Sequence, residues 1–205
     1  RKPRSRFSTT RMEDDVVNIV SGVFEGKTLG TPIMFYVENR AQRSEDYDVL
    51  KDAFRPSHAD YTYQAKYGIR DHRGGGRASA RETVARVVAG SIAKQLLEER
   101  GITIVAYTSQ IGSVCVDRKW EQLDLSARDS NPFYCPDVDK VKELEFLLEA
   151  VADNGDTVGG IVTCVLKGCL TGLGEPIFDK LQDNLAKAML RIKKKKGFDY
   201  GDGFE

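Results

Sequence analysis

Hydrophobic and polar positions alternate, cluster and recur along this chain in a way that predicts its elements in order. "DVVNIVSGVFEG" (15–26) and "TPIMFYVEN" (31–39) are rich in β-branched and aromatic residues and are separated by a glycine-containing turn, which predicts two strands in a hairpin. Residues 39–57 are polar and loop-like, and "ADYTYQAKYG" (59–68) predicts a short helix closed by Gly68. The strongest helical signal is "SARETVARVVAGSIAKQLLEERG" (79–101). Ser79 and Glu82 stand at capping-box spacing and Gly101 supplies the stop. Val84, Val88, Ile92 and Leu96 recur every four positions, and Val87, Ala89 and Ala93 widen the stripe enough to predict packing on more than one side.

"ITIVAYTSQIGSV" (102–114) then predicts a strand. "DVDKVKELEFLLEAVADNG" (137–155) predicts an amphipathic helix with Val138, Val141, Leu144, Leu148 and Val151 on one face. "DTVGGIVTCVLKGC" (156–169) predicts another strand. "GEPIFDKLQDNLAKAMLRIKKKK" (174–196) predicts a helix started by Pro176 and ended by basic residues, so the run Lys193–Lys196 reads as a solvated helix end. Strand pairs alternating with long helices place the chain in the α+β class, with helices against mainly antiparallel sheets.

Composition narrows the function. Lys plus Arg (31) equals Asp plus Glu (31), so the net charge is zero, which argues against a general binder of nucleic acid or membrane surfaces. The four cysteines show no paired C-x-x-C spacing, so they read as buried free thiols in a reducing cytosol rather than zinc ligands or a disulfide framework. No apolar run approaches the roughly 18 residues of a membrane span, and no signal peptide is visible. The chain opens on Arg1 without a methionine and stops just after "GFDYGDGFE", so it reads as an excerpt of something longer.

Against that neutral background one stretch stands out. Residues 55–81 hold Arg55, Lys66, Arg70, Arg73, Arg77 and Arg81 against only Asp60 and Asp71, together with both histidines of the chain, His58 and His72. Within it, "RGGGR" (73–77) runs into the start of the long helix. Glycines let backbone N–H groups turn toward a ligand, a helix start adds positive potential, and arginine forks bind phosphate or carboxylate with two parallel hydrogen bonds. The stretch therefore predicts a site for a small, multiply charged anion, which Arg1, Lys2, Arg4, Arg6 and Arg11 are placed to join. A glycine-rich loop before a helix is by itself often a plain connection, and His72 can equally be catalytic or merely solvated. A rival reading is an RNA-binding module built on "RGGGR" and Tyr61, Tyr63 and Tyr67. Such elements are normally repeated and disordered, whereas this one occurs once and enters a helix.

Taken as a string, "RPSHADYTYQAKYGIRDHRGGGRASARETVARV" (55–87) resembles the signature region of the chorismate synthase family. "SGVFEG" with "GTPI", "RSEDYD", "NPFYCPD", "GLGEPIFDKL" and "GFDYGDGF" follow in the order of that family, so the resemblance covers essentially the whole chain. It implies a β-α-β sandwich, with central helices between antiparallel sheets, in a single domain spanning 1–205 and incomplete at both ends. It also implies a carbon-oxygen lyase acting on phosphates: an anti elimination of phosphate from 5-enolpyruvylshikimate 3-phosphate to give chorismate, in the shikimate pathway of aromatic amino-acid biosynthesis. The family requires reduced FMN without net redox change, with NADPH (NADP) or another reductant as electron source. It further implies a cytoplasmic homotetramer with no nucleic-acid or membrane partner and no metal.

Residue by residue, the resemblance gives His58 the role of the family's histidine beside the flavin, managing a proton. Arg55 and Arg81 match arginines that hold the substrate's anionic groups, and Arg77, Ala78 and Ser79 match the loop-to-helix segment that contacts FMN. Arg1 and Arg6 match two arginines of an N-terminal basic motif that bind substrate or nucleotide, at a spacing one residue tighter than the family's. Lys193 and Lys194 stand where the family has a small pair that contacts FMN. The family's Gly-Glu-Ser-His-Gly segment, with its second catalytic histidine, falls before Arg1, and its segment with a flavin-facing aspartate falls after Glu205. The 205-residue piece is thus expected to carry part of an active site.

Overall fold

A computed structural model describes residues 5–8, 14–40, 43–73, 80–193, 195–201 and 203. In chain order the elements are β1 (Val17–Ile19), β2 (Val23–Phe24), β3 (Lys27–Thr28), β4 (Phe35–Val37), α1 (Asp60–Tyr67), α2 (Thr83–Glu98), β5 (Thr103–Ile111), β6 (Val114–Cys115), α3 (Val138–Asp153), β7 (Gly160–Lys167) and α4 (Leu181–Leu190). Every strand pairing among them is antiparallel: β1 with β4, β2 with β3, and β5 with both β6 and β7. The α+β class expected from the sequence is borne out. The chain divides into two units, one made of Arg1–Met12 and Ala93–Cys169, the other of Glu13–Ile92 and Leu170–Glu205, with the boundary inside α2.

The first unit is built on β5, whose β-branched and aromatic residues suit a pleated surface. Its partner β7 runs from Gly160 opposite Ile111 to Lys167 opposite Thr103, with a register shift between Thr108 and Gln110. The single strand expected over 102–114 is a strand plus a return. Gly112 takes a positive φ (+54°), and β6 doubles back so that Cys115 lies opposite Gln110. α3 is capped at its start by Asp137, whose carboxylate accepts from the Asp139 amide at 3.2 Å and from Arg118 at 2.7 Å.

The predicted face of α3 is largely correct. Leu144 is 2% exposed and forms a small core with Phe133 and Cys135, against which Val141, Leu148, Phe7, Ile111, Val114 and Val116 pack. Val138 is the exception: it sits in the first turn, beyond the reach of that core, and is exposed. The "NPFYCPD" segment is tied by Asn131, whose Oδ1 accepts from the Phe133 and Cys135 amides while its Nδ2 donates to the Cys135 carbonyl at 2.7 Å. All four cysteines are free, but only Cys135 is buried. Cys115 is half-buried and Cys164 and Cys169 are exposed, because β7 and the residues after it lie on the unit's surface.

In the second unit the predicted hairpin is a double one. β1 and β4 pair, with Val17 opposite Val37, and inside them β2 and β3 pair around Glu25–Gly26. Both turn residues have positive φ (+47° and +75°), the mirror-image turn that matches strand twist. α1 ends where predicted: Gly68 is left-handed (φ +72°) and its N–H reaches the Gln64 carbonyl at 2.9 Å.

Two helix expectations need correction. α2 begins with a 3-10 turn over Ala80–Glu82, and Ser79 of the expected capping box lies outside the described residues. No residue of α2 is buried. Val84, Val88 and Ile92 are half-buried while Leu96 and Val87 are exposed, so one stripe is partly covered and the other is solvent-exposed. α4 starts at Leu181, not at Pro176. Ile177 takes φ +74°, which no right-handed helix continues through, and residues 174–180 close a loop in which the Glu175 amide donates to the Asp179 carbonyl at 2.9 Å. The helix ends at Leu190 with Arg191 as its cap, so the run from Lys193 follows the helix rather than ending it.

Candidate functional site

The signature stretch folds around one carboxylate. Pro56 fixes φ for the first central position of a turn, and Ser57 takes φ +60° at the second, a left-handed conformation uncommon for serine. The turn closes when the His58 amide donates to the Arg55 carbonyl at 3.3 Å. Asp60, the first residue of α1, is 7% exposed and locks that turn from within: it accepts from the Arg55 amide (3.1 Å), Arg55 Nε (2.9 Å) and Arg55 Nη2 (3.0 Å). The bidentate fork holds the Asp60 carboxyl down at about 2, against the cost of its burial.

A second guanidinium braces the same segment. Arg70 Nη2 sits among the carbonyls of Leu50, Lys51 (3.0 Å) and Ala53 (2.8 Å), just past the 3-10 turn Glu45–Leu50. Its guanidinium lies 5.0 Å from the Phe54 ring centre, and Phe54 meets Tyr61 of α1 edge-on at 5.6 Å. On the other side Arg55 lies 5.9 Å from the Tyr47 ring centre. The turn carrying His58 is thus held by ion pair, carbonyl clamp and ring contacts at once. The imidazole itself is exposed, with Nδ1 3.1 Å from the Pro56 carbonyl oxygen.

The other predicted residues divide. Arg55 and His58 come together in the one turn, with Arg55 engaged by Asp60 through Nε and Nη2 and its Nη1 edge outside that pair. Arg81, half-buried in the 3-10 turn leading into α2, donates from Nη1 to Asn39 Oδ1. Arg73 forks onto Asp71 (2.9 and 3.0 Å) and pulls that carboxyl to about 2, while His72 is half-buried. Arg6 belongs to the first unit, where it pairs with Glu149 and with Glu145 (3.6 Å) of α3. Lys193 is exposed after α4. Arg1, Arg77, Ala78, Ser79 and Lys194 lie outside the described residues.

Sequence reasoning missed the frame. Asp60 and Arg70 entered only as charges in a count, yet they organise the turn. The signal available was local: an aspartate five positions after an arginine, across a Pro-Ser pair that forces a reversal.

The chorismate synthase family model matches residues 1–205. The chain is 56% identical over 205 residues to the chorismate synthase of Parabacteroides distasonis, covering 100% of this chain and 57% of that protein. It is 53% identical over 206 residues to that of Bacteroides thetaiotaomicron, covering 100% and 58%. A crystal structure of chorismate synthase superposes with a TM-score of 0.73 at 31% identity, over 92% of this chain and 55% of that one. The chain therefore spans somewhat under three-fifths of the curated relatives it matches, at 57–58% of their length. With a match running unbroken from Arg1 to Glu205, an α+β fold shared with a solved member, and the His58 turn set inside the family's signature string, the chain belongs to the chorismate synthase family.

Proposed function

We propose that this chain carries part of the active site of a chorismate synthase, within a single domain of that family. The protein it represents eliminates phosphate from 5-enolpyruvylshikimate 3-phosphate with reduced FMN present, as a cytoplasmic homotetramer. The observation that most supports this reading is the braced turn Arg55–Asp60, which carries an exposed imidazole and a bidentate guanidinium on one short segment. The donor set fits an anionic flavin and an anionic substrate. Arg81 stands in the turn that leads into α2, where the positive end of a helix adds to its charge, and the imidazole can hold or release a proton.

In the reaction the carbon–oxygen bond breaks with its electron pair leaving on phosphate. The pair of the broken C–H bond passes into the ring's new double-bond system, and the proton is taken up. Reduced FMN, when bound, supplies transient electron density for this step and returns unchanged in oxidation state, kept reduced by NADPH or another donor. The chain's own residues do the rest. Arg55 and Arg81 hold the anionic groups and stabilise the charge of the departing phosphate. His58 holds and returns a proton beside the flavin. Arg77, Ala78, Ser79, Lys193 and Lys194 contact FMN, and Arg1 and Arg6 add positive charge toward substrate or nucleotide.

The test is anaerobic turnover of the full chain with reduced FMN and 5-enolpyruvylshikimate 3-phosphate, following chorismate by absorbance and phosphate release in parallel. Equal appearance of both products is expected. Flavin binding with neither product is the behaviour of a piece that carries part of the active site, loss of both flavin binding and turnover would overturn the lyase reading, and RNA binding without flavin binding would favour the rival module.

A further inference from the structure

The turn that carries His58 also dictates which of its ring nitrogens can work. Nδ1 lies 3.1 Å from the carbonyl oxygen of Pro56, its neighbour two residues back. A carbonyl oxygen only accepts, so a hydrogen bond at that distance requires the proton on Nδ1. In the neutral ring Nε2 then carries the lone pair. The contact depends on the reversed backbone: Pro56 sets the first angle, Ser57 takes φ +60°, and the His58 amide closes onto Arg55. A left-handed serine is unfavourable on its own, so the reversal persists because something outside it holds it in place. Asp60 is that group, since its one carboxylate ties the amide and the side chain of Arg55 at the turn's first residue.

We infer that Asp60 is a positioning residue which, through Arg55 and the Pro56 carbonyl, fixes His58 as its Nδ1–H tautomer and makes Nε2 the nitrogen that exchanges the proton. The assignment of Nε2 to proton exchange rests on the lyase reading above; the tautomer itself does not. The logic matches metal-binding and triad histidines, in which the hydrogen bond at one ring nitrogen decides the chemistry of the other. Free histidine in water prefers the opposite tautomer, so the turn imposes a choice that the side chain would not make alone. Arg70 supports the same arrangement by clamping the carbonyls of Leu50, Lys51 and Ala53 immediately upstream.

The experiment uses the full chain labelled with 15N-histidine, recorded about two pH units above the ordinary histidine pKa of about 6.5, with His58→Gln to assign its signals. Long-range proton–nitrogen correlations separate a nitrogen bearing hydrogen from one bearing a lone pair. The expected result is hydrogen on Nδ1 and a lone pair on Nε2; the reverse pattern, or an average of the two, overturns the inference. Asp60→Asn should shift the ring toward the Nε2–H form and lower kcat by about 10- to 100-fold, the scale of a misplaced catalytic group, with little change in KM. An unchanged tautomer and kcat in that variant would remove Asp60 from the mechanism. Arg55→Lys, which keeps the charge but not the fork, should move the ring the same way, and the wild-type spectrum decides the tautomer if neither variant folds. A chain with the Nδ1–H ring that binds neither reduced FMN nor 5-enolpyruvylshikimate 3-phosphate would sink the lyase reading alone. An active enzyme with the opposite tautomer would sink this one alone.

Discussion

Asp60 shows how much one buried carboxylate can organise. Its folded pKa of about 2, set first by the Arg55 fork, lies below the value near 3.9 of an unfolded aspartate. A depressed folded pKa means stability that is fully present above pH 4 and is lost as pH falls through about 2. For a pair whose arginine is one-third exposed, that contribution is on the order of 1–2 kcal/mol. Acid titration of the wild type and Asp60→Asn should therefore show stability curves that differ above pH 4 and converge toward pH 2. Parallel curves would mean the pair contributes nothing to folding. His58→Ala is expected to behave oppositely, with an unchanged melting transition and a kcat lowered by about 10² to 10⁴ under anaerobic turnover. Near-normal activity in that variant would end the catalytic assignment. At this scale the sequence was partly legible. His58 and Arg55 announce themselves by chemistry and motif, whereas Asp60 looks like an ordinary surface charge until the turn is folded around it.

Elements were legible where periodicity and end signals agree. α1 closes on Gly68, and α3 buries Leu144 and packs Val141 and Leu148 of its predicted stripe around it, because one short apolar face meets one small core. Leu144→Ala, which empties the centre of that core, is expected to cost about 2–5 kcal/mol in denaturant unfolding, whereas Val138→Ala on the exposed first turn should change stability by under about 0.5 kcal/mol. Comparable losses at both sites would mean that the core has been misplaced. The misreadings have a common physical origin. Proline both starts helices and sits in turns, and only the positive φ of Ile177 shows that Pro176 belongs to a turn. Likewise the apolar width of α2 predicts two packed faces, and burial depends on neighbours that a one-dimensional pattern does not contain. The close approach of Gly168 to Gly101 was equally hidden: at a φ of +77° a Cβ there would clash with the Gly101 carbonyl oxygen. Gly168→Ala should destabilise the end of the β5–β7 pairing by more than the roughly 1 kcal/mol typical of a left-handed glycine alone.

Across the molecule, buried side chains are unevenly shared. Ile102, Tyr107, Phe133, Cys135, Asp137, Leu144 and Val165 all fall in the first unit, and Asp60 is the buried side chain of the second among the described residues. Local stability follows burial, so amide exchange in the 205-residue chain should be slowest in β5, β7 and α3 and fastest in β1–β4. Uniform protection across both units would contradict that division. The same unevenness separates the working turn from the best-packed part of the chain: His58 sits on a frame of ion pairs and carbonyl contacts rather than on a hydrophobic core. It also gives the chain an internal clock in its sulfur atoms. Cys135 is fully enclosed, and its thiol is pushed up by that burial, while Cys169 is exposed. A thiol-reactive dye meets the exposed Cys169 first and Cys135 only when the core around Leu144 opens. The delay before the buried sulfur is modified therefore times that opening, without any engineered cysteine.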